Sequence, residues 1–203
     1  MTSAFDEPIR RLKLESAWLQ HEFLQAVNNG RHRHTQLTAE MIVVRLHDAW
    51  ARFCRELIIL SAFGRTHTLS GVPLAPCSAA ITSRNLVVPT LFSTYKKKKT
   101  RFEPRWADAT ECISAGQRLL IRNLSTVAGA LGAINSPAED IRRVRNFYVH
   151  RKKETAQDAL TTNVFATLSH PEIFDLAAYT SGNVRVIESW VTNLVLVATS
   201  AAQ

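Results

Sequence analysis

The chain has 203 residues, 46% hydrophobic and 21% charged, a globular mixture with enough apolar surface for a buried core. Its formal net charge of +8 points to an anionic partner, nucleic acid ahead of a membrane surface. Three scattered cysteines, Cys54, Cys77 and Cys112, argue against a disulfide framework or a zinc site and favour a reducing, cytoplasmic setting.

The charged N-terminus MTSAFDEPIRRLKLE lacks the apolar core of a secretion signal. Apolar periodicity predicts a first helix from Pro8 to about Asn29, with Ile9, Leu12, Trp18, Leu19, Phe23 and Val27 on its inner face and Asn28-Asn29-Gly30 stopping it. RHRHTQ, residues 31–36, reads as a linker. Thr38 is the expected N-cap of a second helix that reaches Phe63 and ends at Gly64. Leu46, Trp50, Phe53, Leu57 and Leu60 form its apolar stripe. Residues 65–106 break the pattern with Gly71, Pro73, Pro76, Pro89 and Pro104. They also carry the run Lys96, Lys97, Lys98, Lys99, with Arg101 and Arg105 close behind. NLVVPTLF in this stretch is either a short strand or a buried loop. The lysines either guide RNA by counterion release or form a solvated loop. Tyr95, Phe102 and Trp106 beside them are candidates for base stacking, Trp106 being better suited to the core.

A third helix is expected from about Ala107 to Ile134. Ser136-Pro137-Ala138-Glu139 then reads as a capping box, with proline at the first position of a fourth helix. A fifth helix covers about Gly182 to Ser200. Its apolar stretch is interrupted by Glu188 and Asn193 and is too polar and short to cross a bilayer. The expected fold class is therefore all-α. It is a bundle of about five main helices in one domain, residues 1–203, with 65–106 as a basic, Pro-rich insert.

The fourth helix carries the densest chemistry, RRVRNFYVHRKK from Arg142 to Lys153. At 100° per residue, Ile141, Val144 and Tyr148 fall on the core side. Asn146 and His150, four apart, share the opposite face with Arg142, Arg143 and Lys153, and Arg145 sits at the edge. Phe147 and Val149 flank the polar face and are expected to be partly exposed, as a face covered by a partner subunit would be. Arg142, Arg143, Arg151, Lys152 and Lys153 are either phosphate ligands or a solvated charged face.

Arg145-Asn146-Phe147-Tyr148-Val149-His150 has the form R-N-x-x-x-H. It resembles the signature of the HEPN superfamily (higher eukaryote and prokaryote nucleotide-binding domains), in which arginine precedes histidine by a few residues and a polar residue follows the arginine. The stretch is most similar to the ribonuclease-L-like branch found in bacterial defence and toxin proteins. The resemblance covers residues 8–200 except the insert. It implies a helical bundle and a metal-independent endoribonuclease working as a homodimer, with Arg145, Asn146 and His150 at the dimer interface. It further implies a toxin or defence role and an antitoxin partner, nucleotidyltransferase-type or other. Many toxin-type members carry a modifiable tyrosine two residues after the histidine. Lys152 stands there, which argues against that modification.

The chemistry suits the residues on its own grounds. RNA supplies its own nucleophile, the 2′-OH. An imidazole can take that proton or give one to the 5′-oxygen, and a guanidinium can neutralise charge on the phosphoryl oxygens. One histidine does not readily serve as base and acid in one step, and a two-fold dimer supplies two. No carboxylate cluster has metal-ligand spacing, so neither metal nor cofactor is expected. Asp48 and Glu56 are further acidic candidates, better explained by salt bridges to Arg52 or Arg55. The alternative is a non-catalytic module of the same kind, holding a nucleotide, RNA or a protein partner. A helical DNA-binding protein is a weaker third reading, since no helix-turn-helix spacing is present.

Overall fold

The computed structural model describes residues 2–29, 32–94, 103–134, 136–162, 180–181 and 184–203. Among them are eight α-helices: α1 Asp6–Asn28, α2 His32–Phe63, α3 Val87–Ser93, α4 Ala109–Leu119, α5 Leu124–Leu131, α6 Ala138–His150, α7 Lys153–Leu160 and α8 Val186–Ala201. Two short antiparallel strand pairs complete the pattern, β1 Thr66–His67 with β2 Pro73–Leu74, and β3 Thr180–Ser181 with β4 Val184–Arg185. The mainly helical expectation holds, with more and shorter helices. No helix among the described residues is long and apolar enough to cross a membrane.

Contacts divide the chain into two compact units, and α1, α2 and α8 each contribute residues to both. The first unit comprises Met1–Leu12, Trp50–Ser136 and Val195–Gln203. Its core holds four of the five residues of the expected α2 stripe, with Trp50 stacked on Phe53 at 5.5 Å and Leu57 and Leu60 buried; the fifth, Leu46, is buried in the second unit. Gly64 ends α2 as expected, at φ +62°, and the backbone of residue 75 runs close against it. A Cβ on Gly64 would lie 2.2 Å from the Ala75 carbonyl carbon. Only glycine fits both the dihedral and the space.

The expected 107–134 helix is two helices. Asp108 caps α4 by accepting from the Thr110 and Glu111 N–H groups, and Leu120 breaks the run in the left-handed region at φ 56°. NLVVPTLF is neither strand nor loop: a 3-10 turn, Arg84–Leu86, leads into α3. Pro89 lies in the first turn of α3, where a missing N–H costs nothing. The three cysteines are free. Cys54 on α2 and Cys112 on α4 are buried with their thiols hydrogen-bonded, and Cys112 Sγ donates to the Trp106 carbonyl at 3.0 Å.

The second unit comprises Lys13–Ala49 and Pro137–Leu194. Here α2 starts at His32, so residues 32–36 of the expected linker are helical and Thr38 is not its cap. Thr35, buried, donates to the Ala26 carbonyl at 2.9 Å and ties α2 to α1. That contact between helices outweighs the polar composition that suggested a linker. On α1, Leu19 and Phe23 are buried as expected, but Trp18 is 46% exposed. Helix α7, unforeseen, follows α6 after two residues.

The capping box before α6 does not form. Pro137 occupies the cap position and offers no side-chain acceptor. Ser136 Oγ is buried without a hydrogen-bond partner among the described residues. Glu139 turns instead toward two arginines of its own helix.

Gly64→Ala is expected to lose more than about 2 kcal/mol of stability, from the positive φ and the backbone clash together. Asp108→Ala should lose about 1 kcal/mol, the usual value of a cap. Denaturant titration ranks the two, and equal losses would remove the close approach as a constraint.

Candidate functional site

The site belongs to the second unit and is built on α6. Ile141, Val144, Phe147 and Tyr148 are its buried residues. Phe147, expected at the margin, is therefore a core residue, its ring 5.7 Å from that of Tyr148. The apolar face is wider than a Val144–Tyr148 stripe because Phe147 lies three residues beyond Val144 on the same inward arc. Val149 is 48% exposed, as expected.

The motif residues stay on the outer side. His150 is exposed and is the last residue of α6. Asn146 and Arg145 are half-buried, and Arg145 Nη1 donates to Asn146 Oδ1 at 3.2 Å. Arg145 Nε is buried and makes no hydrogen bond among the described residues.

The neighbouring cations are occupied. Arg142 grips Glu139 with two hydrogen bonds of 2.7 and 2.6 Å. Arg143 donates to Glu139 at 2.9 Å and to Thr161 Oγ1 at 2.6 Å, with Asp158 at 3.7 Å. The Arg142 hydrogen bond, helped by Arg143, holds the Glu139 carboxyl below its ordinary range against the opposing effect of burial. Arg151 is paired with Glu40 at 2.7 Å. Three of the five cations expected to bind RNA here thus have carboxylate partners within the chain. Lys152 and Lys153 are exposed and form no ion pair among the described residues. No carboxylate pairs with Arg145 among the described residues.

Lys96, Lys97, Lys98 and Lys99, with Tyr95, Arg101 and Phe102, lie outside the described residues. Trp106 is a core residue, its indole N–H donating to Glu103 at 2.8 Å. Glu56 belongs to the first unit and pairs with Arg84 and Arg55. Asp48 lies 3.4 Å from Nδ1 of His47.

His47 escaped the sequence reading. Its side chain is 18% exposed on α2. Burial lowers its proton affinity, the Asp48 hydrogen bond opposes that, and the charges of Arg145 and Arg142 push it lower again. A neutral imidazole on α2 thus lies within the field of Arg145. The adjacent acid in the sequence was its only signal.

Beside the motif, α2 and α6 enclose an open groove of about 420 Å³. Leu37, Met41 and Val149 line it, each at least 40% exposed, with Val44, Tyr148, Glu40 and Arg45. Among the described residues, no three His, Cys, Asp or Glu side chains gather as metal ligands. Comparison of the chain with models of protein families, with curated proteins and with solved structures gives no match.

The depressed His47 value makes stability depend on pH. Folded His47 resists protonation, so the unfolded chain binds more protons below its ordinary value of 6.5. Stability should be full above pH 6.5 and fall as the pH drops through that value toward the folded one. In urea titrations at pH 7.5 and 5.5, His47→Gln should lose less stability between the two than the parent does. An equal loss in both would show that other groups carry the dependence.

Proposed function

We propose that the chain is a metal-independent endoribonuclease of the HEPN kind, acting as a homodimer in a toxin or defence role. The observation that carries the reading is Arg145. Its helix neighbours Arg142 and Arg143 are neutralised by carboxylates, whereas among the described residues Arg145 meets the neutral Asn146 amide and no acid, and its Nε makes no hydrogen bond. A half-buried guanidinium kept apart from acids suits an exogenous anion such as a phosphodiester. His150 stands one helical turn beyond Asn146 and is open to substrate.

In the reaction, an imidazole accepts the 2′-OH proton as the 2′-oxygen bonds to phosphorus. The bond to the 5′-oxygen breaks, and that oxygen takes a proton from a second imidazole. Arg145 neutralises charge on the non-bridging oxygens and Asn146 orients a phosphoryl oxygen or His150. The two imidazoles are His150 of each protomer. The products are a 2′,3′-cyclic phosphate and a 5′-hydroxyl.

The apolar groove supports both a second copy and the other reading, a non-catalytic assembly module, because Leu37, Met41 and Val149 offer surface that partner apolar groups would bury. Since Arg142, Arg143 and Arg151 carry their own carboxylates, two such faces can approach with little repulsion.

Purified protein should cleave RNA in EDTA, and a 2′-deoxy substitution at the scissile position should block cleavage. His150→Ala and Arg145→Ala should each lower the rate by about 10²–10⁴ with helical content unchanged. Wild-type rates from His150→Ala would leave the assembly module as the reading.

Val149→Glu should shift the protein to monomer in sedimentation and abolish cleavage together. A fully active monomer would exclude the composite site.

A further inference from the structure

We propose that Glu40 is a positioning residue of this site: its carboxylate holds Arg151, and through Arg151 the end of α6 that carries His150. The inference rests on the ribonuclease reading above and assigns Arg151, expected as a phosphate ligand, a different task.

Arg151 directly follows His150 and adopts φ 48°, ψ 37°, the left-handed region. A side chain with a Cβ is disfavoured there, and glycine is the usual occupant of a helix C-terminus of this shape. Arg151 is held at both ends. Its N–H donates to the Phe147 carbonyl at 2.7 Å, and its Nη2 reaches Glu40 Oε2 at 2.7 Å.

The two ends of the ion pair are unequal. The Glu40 side chain is 15% exposed and that of Arg151 is 54% exposed. The carboxylate is the fixed post, since a largely buried acid stripped of its partner is costly. The arginine is the arm that reaches it.

The chain leaves this point at once. Lys152 is extended, its N–H donates to Thr155 Oγ1 at 3.2 Å, and its carbonyl accepts from the same hydroxyl at 2.9 Å. A single left-handed residue and a single extended one therefore separate His150 from α7. A turn this short has little slack, and release of Arg151 lets the last turn of α6 unwind at His150. Reacting groups displaced by about 1 Å can cost 10²-fold in rate.

The test compares Glu40→Gln, Arg151→Gly and the charge exchange Glu40→Arg with Arg151→Glu. Arg151→Gly removes the arm and relieves the backbone, so it stays informative if Glu40→Gln folds poorly. Two quantities are measured. One is the His150 ring Cε1–H resonance, assigned by its loss in His150→Ala. The other is the separation of kcat from KM on RNA. Either single variant should shift and broaden the His150 signal and lower kcat by about 10- to 100-fold with KM little changed. The charge exchange should recover much of both. An unmoved His150 resonance overturns the proposal. So does Glu40→Gln that binds RNA more tightly at unchanged kcat, which would make Arg151 a phosphate contact freed from its acid. If the resonance responds while the wild-type protein cleaves no RNA, the clamp stands and the ribonuclease reading falls.

Discussion

The burial of Ile141, Val144, Phe147 and Tyr148 fixes the rotation of α6, and the rest of the site depends on it. Each such side chain is worth about 1.5–3 kcal/mol when removed from water, more than a surface ion pair returns. The helix cannot turn to suit its charges, so the charges are arranged around the helix. Arg142 and Arg143 share Glu139, and Arg143 also reaches the end of α7. Arg145 falls at the boundary of the apolar arc, half-buried, with an amide for company. The electrostatic character of the site is thus a by-product of how four apolar residues pack.

The same rotation explains what the sequence made legible. The inward stripe of α6, the outward placement of Asn146 and His150, the buried stripe of α2 and its stop at Gly64 all follow from a 3.6-residue period and one glycine. Failures came where a competing contact decided the outcome. Thr35 bonds back to α1 and keeps residues 32–36 helical. Ser136 and Glu139 match the capping pattern by type, yet Glu139 finds two arginines one turn away. Phe147 was misplaced because a wheel gives angles but not the width of the surface it meets.

His47 and Glu40 illustrate a further limit. Glu40 lies 111 residues from Arg151, His47 is similarly remote from Arg145, and neither sits in a motif. Nothing in the local pattern of α2 distinguishes them from its other polar residues. Only the juxtaposition of α2 and α6 puts a poorly protonated imidazole near Arg145 and an acid on Arg151.

The free cysteines give the molecule a built-in stopwatch. Cys54 and Cys112 are sealed in the first unit, and burial with their mutual hydrogen bond pushes the Cys54 thiol well up from its ordinary range. Cys77 is half-buried and closer to solvent. A thiol reagent therefore meets Cys77 first, whereas the other two react at the rate at which the first unit opens. The kinetics of alkylation, read site by site, separate a local breath of the chain from its unfolding without any label having to be installed.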